Sequence, residues 1–215
     1  IEKWFHKRLK GTVDFLVTPL ATLLITGFIT FIAVGPAVRW LGDLLIHGLA
    51  NLYEVGGPIG GFLFGLVYSP IVITGLHQSF PPIELELFKQ GGSFIFATAS
   101  MANIAQGAAA LAVYFLTRNA KLKGLAGSSG ISAVFGITEP AIFGVNLRLR
   151  WPFYVGMGAA SIGAMLIAIF DVKAMALGAA GFIGVVSMRA SDMGIFLVLA
   201  VVTFVLSFGA ASVSY

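Results

Sequence analysis

The stretch GLAGSSGISAVFGITEPAIFGVNL, residues 124–147, decides how this chain folds. It is as long as a bilayer crossing, which takes about 20 apolar residues, and Glu139 is its one charged residue. Yet Gly124, Gly127, Gly130, Gly136, Pro140 and Gly144 punctuate it. Composition this apolar belongs in a membrane, but a run this interrupted does not make one straight lipid-facing helix. Irregular backbone at membrane depth survives only where protein or a water-filled cavity surrounds it, because lipid satisfies no hydrogen bonds.

The flanking sequence has the same composition. Uncharged runs cover 15–38, 55–83, 90–117, 151–170 and 193–215. The chain is 58% hydrophobic and 10% charged, against about 25% charged residues in soluble domains. Mean hydropathy is +0.97. The expected fold is an all-α polytopic membrane protein, with about five spanning helices, re-entrant hairpin segments and one amphipathic interfacial helix. The amphipathic helix is expected over 40–54, where Leu41, Leu44, Leu45, Leu49 and Leu52 share one helical face and Asp43, His47, Asn51 and Glu54 the other. It lies at the interface or lines a polar cavity. The run 55–83 is rich in helix breakers (Gly56, Gly57, Pro58, Gly60, Gly61, Gly65, Pro70, Gly75, Pro81, Pro82), so broken backbone is expected there too. Residues 173–189 are short and glycine-rich, and no full crossing is expected of them.

The formal net charge of +4 sits in connectors: Lys3, Lys7, Arg8 and Lys10, then Arg118, Lys121 and Lys123, then Arg148 and Arg150. Basic connectors face the cytoplasm, and no soluble body exists to present a nucleic-acid patch. If all three clusters share one side, 55–83 and 124–147 each return to the side they entered from. They then dip from opposite faces and meet near the midplane, as substrate sites of many transporters do. There are no cysteines, which excludes disulfides and thiolate chemistry within these residues. The opening Ile-Glu-Lys-Trp reads as an internal cut of a longer polypeptide.

Glu139 is the most informative single residue. A carboxylate at membrane depth costs several kcal/mol unless paired or hydrated, and by default marks a pathway or ligand site. The alternatives are a pair with an internal arginine and a helix cap. Pro140 biases it away from helix. His77 adjoins Gln78 and Ser79 before Pro81-Pro82, a cluster of donors and acceptors at a broken turn; the plainer reading is a core or interfacial histidine. Glu84 and Glu86 are two apart and point different ways on a helix, one toward a cavity and the other toward water, or both into a solvated loop. Asn103 and Gln106, at i and i+3, share one face of a predicted span. Interhelical hydrogen bonding explains them as well as ligand contact does. Thr138 and Asn146 flank the Glu139 break and are placed to orient it. The three histidines show no metal spacing, and neither a phosphate-binding glycine loop nor a serine elbow is present; no cofactor is expected. Neutral polar groups with a carboxylate and aromatic rings suit a sugar.

The run Gly136-Ile137-Thr138-Glu139-Pro140-Ala141-Ile142-Phe143-Gly144-Val145 resembles the signature of enzyme IIC of the bacterial phosphotransferase system, glucose superfamily. Gly75-Leu76-His77 resembles that family's second signature, and the likeness extends over nearly the whole chain, including Thr18-Pro19-Leu20 and Val34-Gly35-Pro36. Residues 77–84 and 93–107 are most similar to the sucrose-specific branch, with the trehalose branch next. Glucose-type and maltose-type members carry an arginine eight residues before the histidine, where this chain has Ser69.

The resemblance implies a sugar permease of the bacterial cytoplasmic membrane. It would bind a disaccharide and present it to a phosphorylated IIB domain, whose cysteine passes its phosphoryl group to a sugar hydroxyl, this chain carrying no phosphoryl group itself. Residues 1–215 then correspond to the C-terminal, sugar-binding part of the IIC membrane domain, with a homodimer formed through spans before them. Glu139 and His77 would bind the sugar, Glu139 also being the candidate catalytic group. Gln78, Thr138, Asn103, Gln106, Asn146 and Glu84 complete the candidate set. Two other function classes stay in view: a proton-coupled secondary transporter that relays protons through Glu139 and His77, and a membrane assembly module that does not transport.

Overall fold

The computed structural model describes the backbone of residues 1–215 and the side chains of all but 12, 38, 41–43, 45–47, 49–50 and 52–55. The helices are α1 (Glu2–Arg8), α2 (Thr12–Ile29), α3 (Gly35–Thr74), α4 (Pro81–Lys89), α5 (Phe94–Leu116), α6 (Ala120–Val134), α7 (Glu139–Ala141), α8 (Leu147–Leu149), α9 (Trp151–Ile169) and α10 (Met193–Ser214). Among the described residues five stretches are long and apolar enough to cross a membrane: Val13–Ala37, Gly56–Thr74, Phe94–Leu116, Trp151–Ile169 and Met193–Ser214. The protein is a multi-pass, all-α membrane protein. Backbone 40–54 is helical, but most of the side chains that would make it amphipathic lie outside the described residues.

The chain divides into two compact units, Ile1–His47 and Gly48–Tyr215. In the first, α1 and α2 are joined where His6 Nδ1 meets Asp14 at 2.7 Å and Thr18 Oγ1 donates to the same carboxylate at 2.6 Å. Large apolar side chains along α2, such as Phe15, Leu23 and Phe28, are exposed, as a lipid-facing span requires.

The second unit is built around α5, which packs against α6, α9 and α10. Ala97, Ala102, Ala105, Ala108 and Ala109 are buried on it, and small residues of this kind let neighbouring helices approach closely in a membrane. The core around it gathers Phe96, Met101, Ile104, Ile167, Val172, Phe196 and Leu199.

The breaker-rich stretch 55–83 holds a correction to the reading of broken backbone. Non-helical backbone occurs at Gly57, where φ is 51°, and at Gly75, where φ is 79°. Between them 58–74 is continuous helix through Gly60, Gly61, Gly65 and Pro70. Gly61 and Gly65 are contact points instead of breaks. A Cβ at Gly61 would lie 2.7 Å from the Ala164 carbonyl oxygen, and one at Gly65 would lie 2.6 Å from that of Ala160. The chain then turns through a tight helical turn at Leu76–Ser79 into α4.

Stretch 124–147 is a hairpin. α6 runs out, Gly136 turns at φ 106°, and α7, a wide π turn at Ile142–Asn146 and α8 run back. The arms are antiparallel: Gly144 faces Leu125, and Ala126 and Ala133 share a buried cluster with Ala141 and Val145. Lys121 and Arg148 therefore lie toward the same end of the hairpin. Between α9 and α10 the chain is pinned to the start of α5, Ser93 N donating to Ala174 O at 2.8 Å and Ala174 N to Ser93 O at 2.9 Å.

Candidate sugar-binding cavity

A cavity of about 360 Å³ opens in the second unit where four segments meet. That volume falls in the range of about 300–1,000 Å³ typical of small-molecule sites. The end of α3 contributes Tyr68 and Val72; the turn after it, His77, Gln78 and Phe80; and α4, Glu84. α5 contributes Phe96, Ala99 and Asn103, and the hairpin tip contributes Phe135 to Glu139. The fourth wall is the loop Gly178–Ala180. Polar groups and aromatic rings thus face one space, a lining that can bind hydroxyls and cover the C–H faces of a sugar ring.

Of the eight candidate residues, His77, Gln78, Glu84, Asn103, Thr138 and Glu139 line this cavity. Gln106 and Asn146 do not. Both are buried beneath it, where Asn146 Nδ2 donates to Gln106 Oε1 at 2.8 Å and to Gln106 O at 2.9 Å. Gln106 Nε2 donates onward to Ser69 Oγ at 3.1 Å and to Phe153 O at 3.2 Å. Asn103 does both jobs: it lines the cavity, and its Nδ2 donates to Gly136 O at 3.3 Å. On the i, i+3 face of α5 the interhelical reading applies to both residues.

The hairpin tip presents Glu139 at the start of a helical turn whose Pro140 needs no backbone partner. Gly136 is required there. Its φ is 106°, and a Cβ would lie 2.8 Å from the Ala180 carbonyl oxygen, so only glycine lets the tip seat against the fourth wall. His77 Nε2 lies 3.1 Å from the Gln78 side-chain amide nitrogen. Burial holds the His77 pKa below its usual value; the Glu139 charge, and more weakly the Val72 carbonyl, pull it back up. No properly formed hydrogen bond joins Nδ1 to that carbonyl.

Glu84 and Glu86 separate as their spacing requires. Glu86 is exposed and pairs with Lys89 at 3.1 Å. Glu84 is buried and accepts from Ser93 Oγ at 3.3 Å. It sits at the N-terminus of α5, outside the five apolar spans, where unpaired backbone N–H groups favour a carboxylate. Burial nevertheless pushes its pKa up to about 7, against the opposing bonds from Ser93 and the Phe96 backbone. An unfolded glutamate ionises near about 4.3, so between these values the folded state holds the extra proton. Glu84 therefore contributes stability that is full below the unfolded pKa and is lost as pH rises through about 7. The Glu84 contribution falls from pH ~5 to ~8 and that of His77 runs the other way, so in thermal melts in detergent Glu84→Gln should shift the slope of stability against pH upward relative to wild type. An unchanged slope in the variant would assign it to other groups.

Sequence reasoning missed Tyr68, Phe135 and the Gly178–Ala180 wall. Gly181, next to that wall, was visible, but not the hairpin it packs on: a Cβ there would collide with the Val134 carbonyl oxygen.

The family model described as "Phosphotransferase system, EIIC" matches residues 1–161. This chain belongs to that EIIC family. Among curated proteins, it is 50% identical over 212 residues to the PTS system sucrose-specific EIIBCA component of Pediococcus pentosaceus, covering 97% of this chain and 33% of that protein. It is 54% identical over 199 residues to the sucrose-specific EIIBC component of Staphylococcus xylosus, covering 90% and 42%. It is 42% identical over 198 residues to the trehalose-specific EIIBC component of Bacillus subtilis, covering 91% and 42%. The chain thus spans less than half the length of each of these relatives. No solved structure matches it. The matched EIIC region takes in three walls of the cavity, and the fourth, Gly178–Ala180, lies beyond it.

Proposed function

We propose that this EIIC chain binds a disaccharide, sucrose, in the 360 Å³ cavity and presents it to a phosphorylated IIB domain. The observation that carries the reading is the convergence of His77, Glu84, Asn103 and Glu139, from separate stretches of sequence, on one space walled by aromatic rings. In this reading the carboxylates and amides bind sugar hydroxyls, and Tyr68, Phe80 and Phe96 cover apolar ring faces. Glu139 accepts a hydrogen bond from the hydroxyl that takes the phosphoryl group, aligning its oxygen for attack and receiving its proton as the new P–O bond forms and the S–P bond to the IIB cysteine breaks, leaving that cysteine as a thiolate. The phosphoryl group comes from the IIB domain, so this chain's part is binding and positioning. The setting is the bacterial cytoplasmic membrane, with the parent protein a homodimer.

Sucrose is preferred to trehalose because several sucrose-specific relatives are more similar to this chain than the trehalose-specific one. Titration of the intact parent protein with sucrose, trehalose and maltose tests this: sucrose should bind tightest, and tighter trehalose binding would overturn the assignment. Uptake should follow phosphoenolpyruvate and yield sugar phosphate. Free sugar accumulating in a manner sensitive to an uncoupler would instead select proton-coupled transport.

A further inference from the structure

The arm carrying Glu139 is fastened to α5 at two points. At the tip, Asn103 Nδ2 donates to Gly136 O at 3.3 Å. At the far end, Asn146 Nδ2 makes its two bonds to Gln106, whose own amide is held by Ser69 on α3 and Phe153 O on α9. Asn146 is fully buried, as is Gln106 to within 1%. The carbonyl Oδ1 of Asn146 has no hydrogen-bond partner. A buried amide with an unsatisfied acceptor is an expensive way to fill a core, so what it gains is attachment.

The local geometry explains how one short arm serves two directions. Residues seven apart on a regular α-helix share a face. Glu139 faces the cavity, whereas Asn146 faces the interior beneath it. Between them lies the π turn Ile142–Asn146, whose wider winding swings the later residue around the axis; such turns recur at functional sites. Gly156 of α9 completes the seat. A Cβ there would lie 2.7 Å from Gln106 Nε2 and 2.8 Å from Gln106 Cδ.

We infer that Asn146 and Gln106 are positioning residues that set the location of the Glu139 carboxylate from below the cavity without touching the sugar. The inference rests on the reading of Glu139 as a sugar ligand. A double-mutant cycle on sucrose binding by the intact parent protein tests it, using Asn146→Ala, Glu139→Gln and the combination. Asn146→Ala should weaken binding about tenfold when Glu139 is present and less than about twofold once Glu139 is glutamine, because coupled residues are not additive. A purely structural asparagine would give the same loss in both backgrounds, and that result overturns the inference while leaving the sugar site standing. Wild-type affinity in Glu139→Gln alone would remove the reading of Glu139 as a sugar ligand and this inference with it. Should Asn146→Ala fail to fold, Gly156→Ala replaces it. It adds one methyl group against the Gln106 amide, removes no polar group, and should show the same dependence on Glu139.

Discussion

Glu139→Gln is expected to weaken sucrose binding by the intact parent protein by about 1–3 kcal/mol, the range for removing one partner of a buried polar contact. The substitution keeps the side chain's size and removes its charge. A sugar hydroxyl donating to a carboxylate makes a charge-assisted bond, roughly twice as strong as one to a neutral amide. The amide can also present its N–H₂ to a hydroxyl proton, which repels. The hairpin should be undisturbed: no side chain caps the turn that Glu139 begins, and the turn is fixed by Gly136, Pro140 and Asn103. His77→Ala should cost a similar amount, since its ring faces the same cavity. Calorimetric titration reads both. Near-wild-type affinity in the two variants together would mean that the cavity is not the sugar site.

The second large effect is expected at Gly65, where alanine should lower stability by about 1–3 kcal/mol, the cost of overpacking a filled core. The new Cβ would meet the Ala160 carbonyl oxygen and the Ala164 Cβ at 2.6 Å, and the Ser161 Cα at 2.8 Å. Most of these atoms are backbone, so no side-chain rotation relieves the clash, and 58–74 must move off α9. Tyr68 and Val72, which line the cavity, sit on the same helix, so sugar binding should weaken as well. Gly124→Ala is the control. It too lies within a helix, but nothing stands within 4 Å of its would-be Cβ, so alanine there should be neutral or stabilise by about 0.4–1 kcal/mol. If both variants melt together in detergent, the close-contact account of Gly65 is wrong.

Those two glycines show why part of the fold was legible in the sequence and part was not. Charge and length mark the spans because the bilayer imposes both. The hairpin at 124–147 could be read because Gly136 and Pro140 bracket a carboxylate, a combination a plain span does not tolerate. Glycine alone is ambiguous: the same residue permits a turn at Gly75 and a close helix contact at Gly65. Only the partner helix separates the two, and the partner lies about a hundred residues away in the sequence. The site divides similarly. Asn103 and Gln106 were legible as one polar face, but which looks into the cavity depends on where the hairpin docks. Asn146 was legible as a flank of the Glu139 break, but not its docking on Gln106, which depends on a π turn that has no signature in these residues.

The lining of the cavity also bears on how the site empties. It holds two carboxyl side chains, Glu84 and Glu139, and no lysine or arginine among the described residues. A neutral sugar meets no electrostatic objection there. Once phosphorylated, the same molecule carries about −1.5 to −2 charges, and when Glu139 gives up the proton it took, a like charge faces that phosphate with no lysine or arginine in the described lining to offset it. On the proposed reading, the reaction converts a welcome guest into one its host repels. Product release is then favoured by the loss of that one proton from Glu139.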